Sequence, residues 1–143
     1  MATLILIGAI VIIYAIYKAN KNKKAKANED FAKRMEARAK RRDILFESQN
    51  PDSENYGYAP TNPIMTSAIS CSEDYLKSLR TLDGKGFTWQ RRGSLCVDSI
   101  GGVENVMVDW YELYLDGAEY THIYLCPYGH SSSYVPRGLK LEE

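Results

Sequence analysis

Val106–Cys126 reads VMVDWYELYLDGAEYTHIYLC, two runs rich in β-branched and aromatic residues on either side of Asp116-Gly117. Asp-Gly between alternating apolar residues is the strongest short hairpin signal, because both loop positions of the favoured turn need a positive φ. A two-residue loop pairs Leu115 with Ala118 and thereby sorts every side chain of both strands. One face then carries Val106, Val108, Trp110, Ile123 and Leu125, the expected core, with Glu112, Tyr114 and Thr121 continuing it toward the turn. The other carries Met107, Asp109, Tyr111, Leu113, Tyr120, His122, Tyr124 and Cys126. Asp109, Tyr111, Tyr120, His122 and Tyr124 make the candidate partner face, since Tyr forms adaptable contacts at low entropic cost. The competing reading is that Tyr simply forms strands well and pairs across them beneath a second layer.

Around this hairpin the chain supplies further elements. The runs FTWQRR and LCVDSI are β-rich, and Gly93-Ser94 between them reads as a Gly-first turn. Gly101-Gly102 interrupts the chain again. A last short strand in YVPRGLKL belongs at an edge because of Pro136. Upstream, SEDYLKSLRTL places Tyr75, Leu76, Leu79 and Leu82 on one helical face, with Ser70 and Ser72 as N-caps, Glu73 completing a capping box and Asp83-Gly84 as the stop. Residues 64–143 thus read as an α+β domain, one helix on a four- or five-stranded antiparallel sheet, large enough for one modest core.

The stretch ESQNPDSENYGYAPTNP, residues 47–63, has no apolar period and reads as a flexible linker. Residues 18–46 read as a charged juxtamembrane helix with Glu29–Lys33, Asp30–Arg34 and Glu36–Lys40 in the favourable acid-before-base order. Its apolar stripe, Ala27, Phe31, Met35 and Ala39, suits a solvated stalk or a weak self-association seam.

Met1–Tyr17, MATLILIGAIVIIYAIY, contains no charge and nine Leu, Ile or Val residues. These side chains favour insertion by roughly 4 kcal/mol in sum. The reading is a single-pass signal anchor at the short end of spanning length. A cleaved signal peptide fits less well, because Lys18, Lys21, Lys23, Lys24 and Lys26 follow the apolar run instead of preceding it. The same five lysines mark the membrane-surface site. They keep their flank cytoplasmic, which puts the N-terminus outside and the C-terminal domain in the cytoplasm at the cell membrane.

The 143-residue chain is neutral only on average. Residues 18–43 hold eleven basic and four acidic side chains, a charge of +7, and residues 44–143 carry −7. The basic stretch suits anionic headgroups. The acidic remainder is repelled by nucleic acid, and the base-stacking aromatics that such binding uses are missing from the basic run except Phe31.

Motifs for chemistry are sparse. Cys71, Cys96 and Cys126 are odd in number, form no C-x-x-C and read as small buried hydrophobes. His122, Cys126 and His130 recur at spacings of four, which admits a three-ligand metal site or a Cys–His pair oriented by Asp109, but a structural zinc needs a fourth ligand. Arg91-Arg92-Gly93-Ser94 has a basophilic kinase pattern. No nucleotide-binding, hydrolase or zincin motif is present, so neither an enzyme nor a cofactor is expected. The resulting expectation is a membrane-tethered cytosolic module that binds a protein or peptide. The alternatives are a small Cys/His enzyme or metal-binding domain, or an envelope-facing binding domain if the topology is reversed.

Overall fold

The computed structural model describes residues 2–142, with side chains from 12 onward. Helix α1 covers Ala2–Glu47 and α2 covers Ile69–Ser78; the strands are β1 Ile64–Met65, β2 Leu79–Thr81, β3 Thr88–Ile100, β4 Val103–Leu115, β5 Ala118–Cys126 and β6 Leu139–Leu141. The chain divides into two units, Met1–Ala39 and Lys40–Glu143. The second is α+β. Its main sheet has the order β1-β5-β4-β3, and β2 with β6 forms a separate two-stranded ribbon.

The sheet is mixed, which corrects the all-antiparallel expectation: β1 lies parallel to β5, pairing Ile64 with Leu125 and Met65 with Cys126. Just before β1 the chain folds back along β5, where the Tyr124 amide donates to the Gly57 carbonyl at 2.8 Å. The approach direction of β1 is fixed by that contact.

The Asp116-Gly117 hairpin forms as expected, with φ of +50° and +83°. Leu115 pairs with Ala118 and Tyr114 with Glu119, but then the register slips so that Leu113 meets Thr121 and Tyr111 meets Ile123. Tyr120 is the extra residue of this β-bulge. One inserted residue turns all the rest of β5 over relative to β4. Asp109, Tyr111 and Leu113 therefore share a face with Ile123 and Leu125, while Val108, Trp110 and Glu112 share the other with His122, Tyr124 and Cys126.

A second bulge lies between Arg91 and Gly93, and it replaces the expected Gly93-Ser94 turn. The strand β3 runs through this site, and the chain reverses only at Gly101-Gly102, with φ of +59° and +83°. Glycine inside a strand commonly marks a bulge and not an end.

Each sheet face has its own core. On one, Tyr111, Leu113, Ile123 and Leu125 pack with Tyr75 and Leu76 of α2, and with Tyr56, Leu79 and Leu139. On the other, Val106, Val108 and Cys126 pack with Leu45 from the last turn of α1. Arg42 fixes that turn by donating to the carbonyls of Gly129 at 3.0 Å and Ser67 at 3.3 Å.

The segment after α1 is not a flexible linker. Tyr56 is fully buried, and its hydroxyl donates to Gln49 Oε1 at 2.8 Å and lies 3.2 Å from Ser132 Oγ. Asn62 clamps the turns: its amide donates to the Asn50 carbonyl and its oxygen accepts the Asn50 amide. Gly57 has φ of +73°, and a Cβ there would lie 2.6 Å from the Pro136 ring. Polar turn residues here do structural work that their composition does not distinguish from disorder.

Helix α2 also departs from expectation. Its N-cap is Ala68, without a side-chain capping bond, and the helix ends at Ser78, so that Leu79 belongs to β2. Ser72 is buried inside the helix and its hydroxyl lies 2.6 Å from that of Thr66. The terminal β6 pairs with β2 instead of closing the main sheet.

In the first unit the described side chains are all exposed. Glu29 and Lys33 form their ion pair at 2.7 Å. Among the described residues no helix is long and apolar enough to cross a membrane. Of the uncharged run Met1–Tyr17, the side chains up to Val11 lie outside what the structure describes.

Candidate functional site

The expected partner face is dispersed by the Tyr120 bulge. Asp109 and Tyr111 turn inward beneath the α2 layer, where both are buried. Asp109 Oδ1 accepts from Arg91 Nη2 at 2.8 Å and from Ser94 Oγ at 2.5 Å. This lattice raises the Arg91 pKa further and commits the Ser94 hydroxyl to Asp109 within a sheet-paired strand. Burial, with the Asp109 charge second, raises the Tyr111 pKa, and its hydroxyl has no hydrogen-bond partner among the described residues. Tyr120 sits at the bulge against Phe87, with ring centroids 5.1 Å apart. His122 and Tyr124 lie on the opposite face from Asp109 and Tyr111.

That opposite face holds the new candidate site. Beyond the part covered by Leu45, strand alternation lines up Trp110, Glu112 and Tyr114 on β4 beside His122 and Tyr124 on β5. Trp110, expected in the core, is half-buried and meets His122 edge-on with centroids 5.2 Å apart. The β3 bulge delivers Arg92 to the same strip. Arg92 Nη2 donates to the Tyr114 hydroxyl at 2.8 Å, and that hydroxyl donates to Glu112 Oε2 at 2.5 Å. Arg92 also forms an ion pair with Glu112. The Tyr114 hydrogen bond, followed by the Arg92 contact, holds the Glu112 carboxyl below the usual carboxylate range.

His122 Nε2 lies 3.5 Å from Glu112 Oε1 and 3.3 Å from Glu119 Oε1. Among the described residues these three side chains alone gather potential ligand atoms of a cation within 4.8 Å. The guanidinium already bound to Glu112 opposes a second positive charge there. What the strip offers chemically is recognition: flat aromatic bodies with polar tips, flanked by an Arg–Glu pair and an acidic edge.

The His122, Cys126 and His130 trio does not converge. Cys126 is fully buried, and burial raises its thiol pKa, the reverse of nucleophile activation. Its position four residues from His122 on a strand is about 13 Å away. His130 instead contacts Asp43 at 2.7 Å and stacks edge-on against Phe46. All three cysteines are free, with Cys96 exposed and Cys71 only half-buried, so two of the three are not core residues.

Lys18, Lys21, Lys23, Lys24 and Lys26 are all exposed on α1 in the first unit. Arg92, Glu112 and Glu119 escaped the sequence reading because their convergence depends on two bulges that no local motif announced. Compared with known proteins, the chain matches no family model, no curated protein and no solved structure.

Proposed function

We propose that this chain is a membrane-tethered interaction module. Residues 1–17 serve as a single-pass anchor, the five lysines of α1 lie at the anionic leaflet, and the unit Lys40–Glu143 works on the cytoplasmic side. The observation that carries this reading is the uncharged run followed directly by a basic cluster on a helix. Ile12, Ile13, Tyr14, Ile16 and Tyr17 support it, since each is more than half exposed. Apolar side chains in such numbers gain from lipid what they lose in water.

The recognition surface of the module is the strip of Trp110, Tyr114, His122 and Tyr124 with Arg92 and Glu112. Its partner is a protein or peptide, and tethering raises the local concentration so that a modest site suffices. Replacing Trp110 and His122 together by Ala, in a chain that keeps its melting temperature, should cut recovery of a crosslinked partner at least tenfold. Undiminished recovery would remove the strip from the account. The reading of this chain as a small Cys/His enzyme or metal protein finds no support in the separation of His122, Cys126 and His130.

A further inference from the structure

We propose that the outer edge of β3 pairs with β3 of a second copy of this chain, antiparallel and in the register that sets Leu95 opposite itself. The two edges of the main sheet differ sharply. The β1 edge is two residues long and closed by local chain: the Met65 carbonyl accepts the Ser132 amide at 3.0 Å, and Gln49 Oε1 accepts the Met65 amide at 3.3 Å. The β3 edge is thirteen residues long. Among the described residues no hydrogen bond reaches its backbone from any element other than β4. An open edge of this length is a template for strand addition.

The bulge at Arg92 bends one end of β3, yet Gly93–Ile100 keeps one unbroken register against β4. This regular half is the part that can receive a strand. The basic residues of β3, Arg91 and Arg92, lie at the bulge just before this half, and its one acidic residue, Asp98, lies toward the other end. A two-fold axis through Leu95 puts Cys96 opposite Ser94, Val97 opposite Gly93, and Asp98 opposite the Arg91–Arg92 bulge of the other copy. Asp98 and Arg91 also project to the same sheet face: Arg91 aligns with Tyr111 and Cys96 with Met107, and strand alternation puts Asp98 on the side of Cys96. Arg91 is half exposed there and has room for a second carboxylate beyond Asp109. Sliding the copies by two residues takes Asp98 away from the bulge, in one direction to a place beside Ser94, and the interface then adds no carboxylate to the arginines.

At the centre, Leu95 is 39% exposed on the face it shares with Val108. In the paired state it meets its own counterpart, which removes an apolar side chain from water on both copies. The same axis generates two Asp98–Arg91 pairs. Self-complementarity of this kind is what a closed two-fold interface requires. A second copy is therefore the occupant of this edge, which meets the Trp110–His122 strip only at the Arg92 bulge, and the pairing is independent of whether the chain sits in a membrane.

The test is disulfide capture in the full chain. In a Cys71→Ser, Cys96→Ser background, Leu95→Cys sets two thiols on directly opposed residues, whose Cα atoms lie about 4.5–5.5 Å apart, within disulfide reach. Mild oxidation should give a covalent homodimer at least tenfold above a Leu82→Cys control, since Leu82 is exposed but is not part of β3. Adding Asp98→Arg should return the yield to the control level. In the unmutated chain, a short bismaleimide should link Cys96 to Cys96 of the second copy, diagonal neighbours about 7–8 Å apart; this arm stands even if Leu95→Cys fails to fold. Dimer yields no higher than the control in both arms would overturn the pairing. So would indifference to Asp98→Arg, or capture of a protein of different mass, which would assign the edge to another partner's strand.

Discussion

Tyr56→Ala should destabilise the Lys40–Glu143 unit by about 3–5 kcal/mol, the range for emptying a large aromatic site in a core. Tyr56 is among the largest fully buried side chains of the unit and packs with Ile64, Tyr75 and Leu125. Its loss leaves a cavity and also strips a partner from Gln49, which itself accepts the Met65 amide of β1. Denaturant titration should show the loss of stability, and limited proteolysis should show cleavage within residues 48–63 that the parent chain resists. Equal cleavage of both chains would mean that this segment is a mobile linker after all.

The hydroxyl of Tyr56 adds a pH dependence of definite sign. Burial pushes its pKa up to about 12, against 10 for an exposed tyrosine. The neutral form is the one that suits the folded state, so the associated stability is intact below pH 10. It is lost progressively as pH rises from about 10 through about 12, where the unfolded chain has released a proton that the folded chain retains. Two pH units correspond to roughly 3 kcal/mol. Tyr56→Phe should flatten this alkaline limb by a large part of that amount while costing about 1 kcal/mol near neutrality for the hydrogen bonds.

Leu45→Asp should be the most damaging single substitution at the other core. Leu45 is fully buried among Met65, Val106, Val108 and Cys126. Deleting its side-chain volume alone costs about 2–5 kcal/mol, and an unpaired carboxylate adds the desolvation penalty. A domain of this size has on the order of 5–15 kcal/mol in total. The expected result is a unit without a cooperative thermal transition, or one melting at least 15 °C lower. Leu45→Met conserves volume and should melt within a few degrees of the parent. A parent-like transition for Leu45→Asp would show that the last turn of α1 is not docked on the sheet.

Local chemistry made parts of this fold legible. Asp116-Gly117 imposes a tight turn whatever surrounds it, and the alternating residues around it had to be strands. Tyr75 and Leu76 declared a buried helical face. The failures of register share one physical cause, which is that a single inserted residue carries no composition signal yet inverts a strand. Tyr120 moved His122 and Tyr124 away from Asp109 and Tyr111 in this way, and Arg92 disguised a continuous strand as two. In residues 47–63, turn-forming Asn, Ser and Gly look the same whether they solvate a linker or clamp a packed loop. Only Tyr56 and Tyr58, two large aromatics in a polar run, hint at the second. The strip around Trp110 and Glu112 inherits these difficulties, because its members meet only in the bulged register.

The measurement that bears most directly on the account is protease accessibility of a C-terminal tag on the full chain, in sealed right-side-out and inverted membrane vesicles. The account predicts that the chain stays with the membranes after alkaline carbonate washing, and that the tag is cleaved only in inverted vesicles. A chain lacking residues 1–17 should appear in the soluble fraction. Cleavage in right-side-out vesicles, or release of the full chain by carbonate, would contradict it.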